Sequence, residues 1–245
     1  MDKTIVILST LDTKGEETKY LKEQIEMQGC QVLIIDMGTR GTASIPADIT
    51  REEVLAAAGK DIDPEALKKD RPRLIQAMID GAAQKVRELY QAKKVDGIIG
   101  IGGATNTLMS TGVMKALSFG IPKLMVSSNA SARGFASRYF GASDIAIMHS
   151  VIDFTGLNDL MRDVLDRAAG SIVGMVNKRA FYSTFNDLKK QRKPRVAMTM
   201  LNMCEKCAEY VKRHLEADGY QVIGFSATGV PDMAMEELIE KEGIF

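Results

Sequence analysis

The sequence predicts an α/β protein: a Rossmann-like or flavodoxin-like domain on a parallel sheet, followed by part of a second α/β lobe. Three observations lead there. Short, continuously apolar, β-branched runs recur along the chain, as strands buried on both faces do. Stretches with apolar residues three and four apart alternate strictly with them, which requires crossover connections and therefore parallel strands. A charged stretch, Leu188–Pro194, interrupts the pattern, and the same strand–helix order then restarts.

Thr4–Ser9 is the first apolar run. Gly15–Gln28 follows with helical spacing, Tyr20, Leu21, Ile25 and Met27 lying among charges, and Gly29 closes it. Gln31–Met37 is the second strand. Pro64–Lys93 reads as mostly helix on the spacing of Leu67, Leu74, Ile75, Met78, Ile79, Val86 and Leu89. Asp96–Ile101, Pro122–Ser127 and Asp144–Met148 supply three more strands, with helices at Asn106–Leu117 and Ser131–Tyr139 between them. Gly156–Val176 is a long helix. Its small-residue end, Ala168-Ala169-Gly170-Ser171-Ile172-Val173-Gly174, predicts packing on two sides. Beyond the charged stretch come strand Arg195–Met200, helix Met203–Ala217, strand Tyr220–Ser226 and helix Asp232–Glu242. The expected organisation is a nucleotide-binding domain over 1–188, a linker over 189–194 and the start of a second lobe over 195–245. Two strands leave an open sheet edge and little core. A homo-oligomer, or a further C-terminal portion that completes the lobe, is therefore expected.

Composition narrows the function classes. The 245 residues are 45% hydrophobic and 26% charged, with a formal net charge of zero. These are ordinary values for a globular protein. Without a basic excess or a basic stripe, a nucleic-acid partner is not expected. No segment approaches 18 uninterrupted apolar residues, so no membrane span is expected. Met1-Asp2-Lys3 runs directly into a strand, so no secretory leader is expected. Three cysteines cannot all pair with one another, and a reducing, cytoplasmic location is the expectation.

Ligands of open parallel sheets sit at the carboxyl ends of the strands, near the point where strand order reverses. The loops after the strands are therefore the candidates. After the first strand, Thr10-Leu11-Asp12-Thr13-Lys14-Gly15-Glu16 combines hydroxyls, a carboxylate and a lysine at a helix start. Backbone amides there favour anions, and Lys14 adds a point charge for a phosphate. Asp12 could hold Mg²⁺ through water or accept from a ribose hydroxyl, or it could simply cap the helix. After the second strand, Asp36-Met37-Gly38-Thr39-Arg40-Gly41 offers a carboxylate and an arginine that could clamp phosphate. After the third, Gly102-Gly103-Ala104-Thr105-Asn106-Thr107 is a glycine-bearing strand-to-helix turn. It lacks both the P-loop Gly-Lys-Ser/Thr and the third glycine of the dinucleotide fingerprint. After the fourth, Ser127 and Ser128 open a small polar cluster that runs to Ser131. Together the four loops point to a phosphate-bearing small ligand.

Of the two histidines, His149 ends the fifth strand on the ligand side and is a candidate general base or a plain strand-end residue; His214 lies on a charged helix. Cys204-Glu205-Lys206-Cys207 has the CxxC spacing of a redox site at a helix start, in a lobe that does not otherwise read as thioredoxin. Redox catalysis is not expected there, and Cys204 is expected to be the more reactive thiol. No cluster has zinc spacing.

At these loops the chain resembles the ATP-binding domain family of the tomato mosaic virus resistance protein and its microbial relatives. The matching stretches include Thr10–Glu16, Asp36–Gly41, Arg51-Glu52-Glu53-Val54, Ala56-Ala57-Ala58-Gly59, Gly141–Ile145 and Ala227-Thr228-Gly229, and the resemblance runs nearly end to end. It implies two Rossmann-like lobes and ATP with Mg as ligand, and no settled reaction. It also implies longer relatives that complete the second lobe. Where relatives carry Gly-Gly-Ser-Gly-Gly-Thr, this chain has Gly102–Thr107, so Thr105 and Asn106 replace two glycines. If those glycines serve a positive φ, the exchange costs Thr more than Asn. The leading expectation is a nucleotide-binding protein, and in its fuller form an ATP-dependent enzyme with a second substrate between lobes. The alternatives are a nucleotide-gated regulatory protein without turnover and a phosphometabolite binder. In the leading reading Lys14, Arg40 and the Gly102–Thr107 amides hold phosphates, Asp12 supports the metal, and Asp36 meets the ribose.

Overall fold

The computed structural model describes residues 3–59, 69–179 and 193–242. The chain divides into two compact units. The first carries a five-stranded parallel sheet of β1 (Lys3–Ser9), β2 (Cys30–Asp36), β3 (Gly97–Gly102), β4 (Lys123–Ser127) and β5 (Ala146–His149), in the order β2-β1-β3-β4-β5. That order places the reversal of winding between β1 and β3. Those two strands pair in parallel from Ile5↔Gly97 to Leu8↔Gly100.

The sheet is buried because both faces are covered. Ile5 and Ile7 of β1 point to one face, Val6 and Leu8 to the other, and all four are fully buried. The first face packs on α1 (Leu11–Met27), through Leu21 and Ile25, and on α6 (Asp159–Arg179), through Met161, Leu165, Ala168 and Ile172. The second packs on α2 (Arg51–Ala57), α3 (Arg71–Gln91) and α4 (Ala104–Met114), through Val54, Met78, Val86, Met109 and Val113. A short α5 (Phe135–Tyr139) lies between β4 and β5.

Several elements differ from the sequence expectation for identifiable reasons. Helix α1 begins at Leu11, because its first turn and the following helix run together across a kink at Lys14 (φ −132°, ψ 23°). The residues 51–57, given no element from sequence, form α2; Thr50 and Glu53 make a reciprocal capping box at its start. Helix α3 begins only at Arg71, where the Asp70 side chain accepts from the Arg73 amide and Pro72 occupies the first turn. The earlier part of the helix expected from Pro64 lies outside the described residues. Asp144, expected in β5, instead precedes it and accepts from Lys123 Nζ at 2.7 Å, while Lys123 itself is buried. In α6, Ala168 and Ala169 are buried against the sheet, while Gly170 and Gly174 have no neighbouring atoms within 4 Å of an added Cβ. Among the described residues, nothing packs against Gly170 or Gly174 on the other side of that stripe.

The second unit holds β6 (Arg195–Met200) and β7 (Gln221–Ser226), paired in parallel, with a 3₁₀ turn at Asn202–Cys204 and α7 (Glu205–Ala217) between them. Then follow α8 (Val230–Glu237) and a π turn at Leu238–Glu242. The charged stretch 188–194 lies mostly outside the described residues.

Candidate functional site

Two parallel strands that part at the switch point leave their last carbonyls without a lateral partner. Asn106 fills that role. From the first turn of α4 its Nδ2 donates to the Leu8 carbonyl of β1 and the Ile101 carbonyl of β3. The residue is 4% exposed, and its Oδ1 is buried with no hydrogen-bond partner. An unpaired buried acceptor costs free energy, so it is a position where a ligand donor or a water gains. Gly102 turns the chain from β3 into α4 at φ +143°, and Gly103 is the N-cap, with no side chain to satisfy the first amides. The α4 N-terminus therefore presents the Ala104, Thr105 and Asn106 amides uncapped.

The positive φ lies at Gly102, and Thr105 and Asn106 sit inside the helix. The expectation of backbone strain at those two positions is corrected: helical φ accepts Thr and Asn without the left-handed penalty.

A depression of about 270 Å³ opens in front of this terminus. It is lined by Thr10, Asp12, Thr13, Lys14, Thr39, Arg40, Gly103, Ala104, Thr105 and Asn106, together with Arg71. Three of the four loops read from sequence thus converge. Three cations face it against one carboxylate. Lys14 Nζ donates to the Phe154 carbonyl, which holds the ammonium at the rim and leaves two of its protons for other acceptors. Arg71 Nη2 stands 3.4 Å from Thr105 Oγ1.

Arg71 was not found from sequence. With Pro64–Lys93 taken as helix, it falls inside the helix beyond its first turn; the Asp70 cap and Pro72 were the available signal, and they place it at a helix start lining the depression.

A second, larger cleft of about 660 Å³ adjoins through Thr39 and Arg40. Leu55, Ala56 and Leu74 give it an apolar wall, and Arg51 and Glu52 of α2 a charged one. Arg51 donates through Nε to Glu52 Oε1 at 2.8 Å and through Nη1 to the Gly41 carbonyl. Arg51 and Glu52 stood in a quoted motif but were given no role, because α2 itself was not recognised.

Other candidates are committed elsewhere. Asp36 is buried, and its Oδ1 accepts from the Leu11 amide at 3.0 Å and the Gly38 amide at 2.8 Å. It organises the first two loops and does not line the depression. Burial raises its pKa above the ordinary carboxylate value, with Asp12 adding to that, while the two amides and Arg51 oppose it. Gly38 lines the larger cleft and not the depression. Asp12 Oδ2 accepts from the Arg40 amide at 2.8 Å and the Gly41 amide at 3.0 Å, so it pins the Thr39–Gly41 loop against α1. As a metal ligand Asp12 stands without company: among the described residues no group of three His, Cys, Asp or Glu could hold an ion. Thr107 and Ser127 are fully buried and hydrogen-bond each other at 2.7 Å. Ser128 Oγ donates to Asp153 Oδ1 at 2.9 Å, on the far side of Gly103. His149 is exposed at the end of β5, two strands from β3.

Among the described residues no helix is long and apolar enough to cross a membrane. Several curated proteins resemble the chain. A protein of Clostridium tetani is 40% identical over 239 residues, covering 98% of this chain and 57% of its own length. One of Rhizobium meliloti is 35% identical over 238 residues, covering 97% and 56%. The ToMV susceptible protein tm-1(GCR26) of Solanum lycopersicum is 28% identical over 253 residues, covering 96% of this chain and 33% of its own. The chain thus spans just over half the length of the bacterial relatives. Among solved structures, the UDP-GlcNAc 2-epimerase of Methanocaldococcus jannaschii in complex with UDP-GlcNAc and UDP aligns over 98% of this chain and 71% of its own, at 10% identity and a TM-score of 0.37. A diflavin flavoprotein A3 of Nostoc sp. aligns over 74% and 99%, at 9% identity and the same TM-score. Likeness of that degree carries no argument about ligands. The family assignment rests on sequence: residues 3–181 match the N-terminal domain of the uncharacterised protein family UPF0261 and residues 193–245 its C-terminal domain, and the chain belongs to that family.

Proposed function

We propose that the first unit binds a nucleotide, ATP in the reading the sequence motifs favour, with its phosphates in the depression before α4 and its nucleoside in the adjoining cleft. The observation that carries this is the uncapped N-terminus of α4, opening on three cations. A helix N-terminus favours an anion by about 0.3–1 kcal/mol when exposed, and more when partly buried. Lys14, Arg40 and Arg71 add positive charge around the same point.

The adjoining cleft favours a nucleotide over a simple phosphometabolite. Its volume and apolar wall suit a flat, largely apolar group such as a base, which a sugar phosphate lacks. Magnesium, in this reading, arrives on the phosphates, since among the described residues no carboxylate cluster could hold it. Asp36, first considered for the ribose, is a positioning residue for the loops. Turnover, a second substrate between lobes, assembly with a second copy through the open edge of β6–β7, and a cytoplasmic location remain part of the proposal at the level of the whole protein.

Calorimetry with Mg·ATP and with adenosine tests the assignment. Arg71→Ala removes an exposed charge that touches only the phosphate end. It should weaken Mg·ATP by about 1 kcal/mol, roughly fivefold, and leave adenosine unchanged. Equal losses for both ligands would place the phosphates elsewhere.

A further inference from the structure

We infer that Cys204 and Cys207 form a two-thiolate site for monovalent copper at the start of α7, independent of the nucleotide site. Cys204 is the N-cap of α7, and Cys207 is the third residue of the helix. These are the two positions whose groups reach each other in a capping box. Here no side-chain cap hydrogen bond occupies Cys204, and both thiols are free and exposed. The thioether of Met203, 90% exposed, adjoins them in sequence. Three soft sulfur groups thus lie within five residues, on a turn that opens to solvent.

Ligand count decides the metal. Zinc needs about four ligands and hard cations need several oxygens. No group of three His, Cys, Asp or Glu that could hold an ion occurs among the described residues. His214 lies seven residues beyond Cys207 along the helix, about 10 Å at the α-helical rise, and its Nδ1 already engages the Tyr210 carbonyl. Cys30 is buried in the first unit. A soft monovalent cation selects thiolates and thioethers, and two thiolates meet its lower demand. Each thiol passes its proton to solvent as its sulfur bonds to copper, and the copper stays monovalent throughout. The resulting anionic complex is favoured at a helix N-terminus, with Lys206 beside it.

The test is anaerobic competition of the reduced, full 245-residue chain against the bicinchoninate complex of Cu(I), followed by the chelator's absorbance. The wild type should withdraw one copper per chain. Cys204→Ser and Cys207→Ser should each weaken retention by more than about a hundredfold, beyond what losing an outer partner costs. Cys30→Ala should leave the stoichiometry unchanged, and Zn²⁺ should not compete at equal concentration. Because both cysteines are exposed, the serine variants should keep the wild-type circular dichroism. Failure to withdraw copper, retention in the double serine variant, or zinc binding as tight as copper would each overturn the assignment.

Discussion

Helix α3 crosses α2 at a single glycine, and the crossing sets one wall of the larger cleft. A Cβ added at Gly81 would lie 1.8 Å from the Val54 carbonyl oxygen, 2.8 Å from its carbon and 3.2 Å from the Ala58 amide nitrogen. All three atoms are backbone, so no side chain can rotate away. Ordinary non-bonded separation is about 3.5 Å, so α2 must move by roughly 1.5 Å or more. In its favour, Gly81→Ala gains about 0.5–1 kcal/mol of helix propensity. Overpacking a well-packed site costs about 1–3 kcal/mol, and a backbone clash belongs at the upper end. The net expectation is a loss of about 2 kcal/mol. Gly174→Ala in α6 is the matched control, since no atom lies within 4 Å of its added Cβ. It should gain about 0.5–1 kcal/mol. Urea unfolding, with unchanged slope and shifted midpoint, reads both. A Gly81→Ala variant as stable as wild type would refute the close α2–α3 crossing. A clear loss in Gly174→Ala would instead restore the two-sided packing of α6 that its small-residue stripe suggested from sequence.

Three further outcomes follow from named contacts. Asp36 has a raised pKa in the folded protein, so the native state holds its proton more tightly than the unfolded chain does. Its contribution to stability is greatest below the ordinary carboxylate range and is lost as pH rises through the raised value. Asp36→Asn keeps an oxygen for the Leu11 and Gly38 amides. It should be at least as stable as wild type at pH 7, with the gap closing on acidification in thermal melts at several pH values; a large loss at pH 7 would show that the charge itself is needed. The Lys123–Asp144 pair is asymmetric, with side-chain exposures of 1% and 24%. Asp144→Ala leaves a buried ammonium and should cost about 3 kcal/mol by denaturant titration, whereas Lys123→Met leaves only a partly hydrated carboxylate and should cost less; the reverse order would contradict the burial. Lys14→Ala removes both a phosphate partner and the tie to the Phe154 carbonyl, so it should weaken Mg·ATP more than Arg71→Ala does, with binding read by calorimetry.

The sheet was legible because its strands are continuously apolar: Ile5–Leu8 and Ile98–Ile99 cannot be solvent-facing in a chain with this many charges. The convergence of the loops after β1, β2 and β3 followed from strand order alone. What stayed hidden depends on side-chain destinations that spacing does not encode. Asp36 and Asp12 have the same chemistry in neighbouring loops, yet one is buried beneath two amides and the other lies at the rim. Thr107 and Ser127 looked like ligand groups because they are small and polar, but each is the other's buried partner. Arg71 and Arg51 were missed because helix boundaries place them. A helical period continues through a cap without marking it, and only Asp70-Arg71-Pro72 and Thr50…Glu53 carry the stop and start.

The central claim is that phosphates bind at the α4 N-terminus. Amide chemical-shift mapping of the ¹⁵N-labelled chain during addition of Mg·ATP, and separately of adenosine, tests it most directly. The account predicts that the Gly103, Ala104, Thr105 and Asn106 amides shift with Mg·ATP and stay nearly still with adenosine, while Leu55 and Ala56 respond to both. Absence of any shift at millimolar Mg·ATP, or shifts confined to residues outside the Thr10–Lys14, Thr39–Arg40 and Gly103–Asn106 loops, would contradict it.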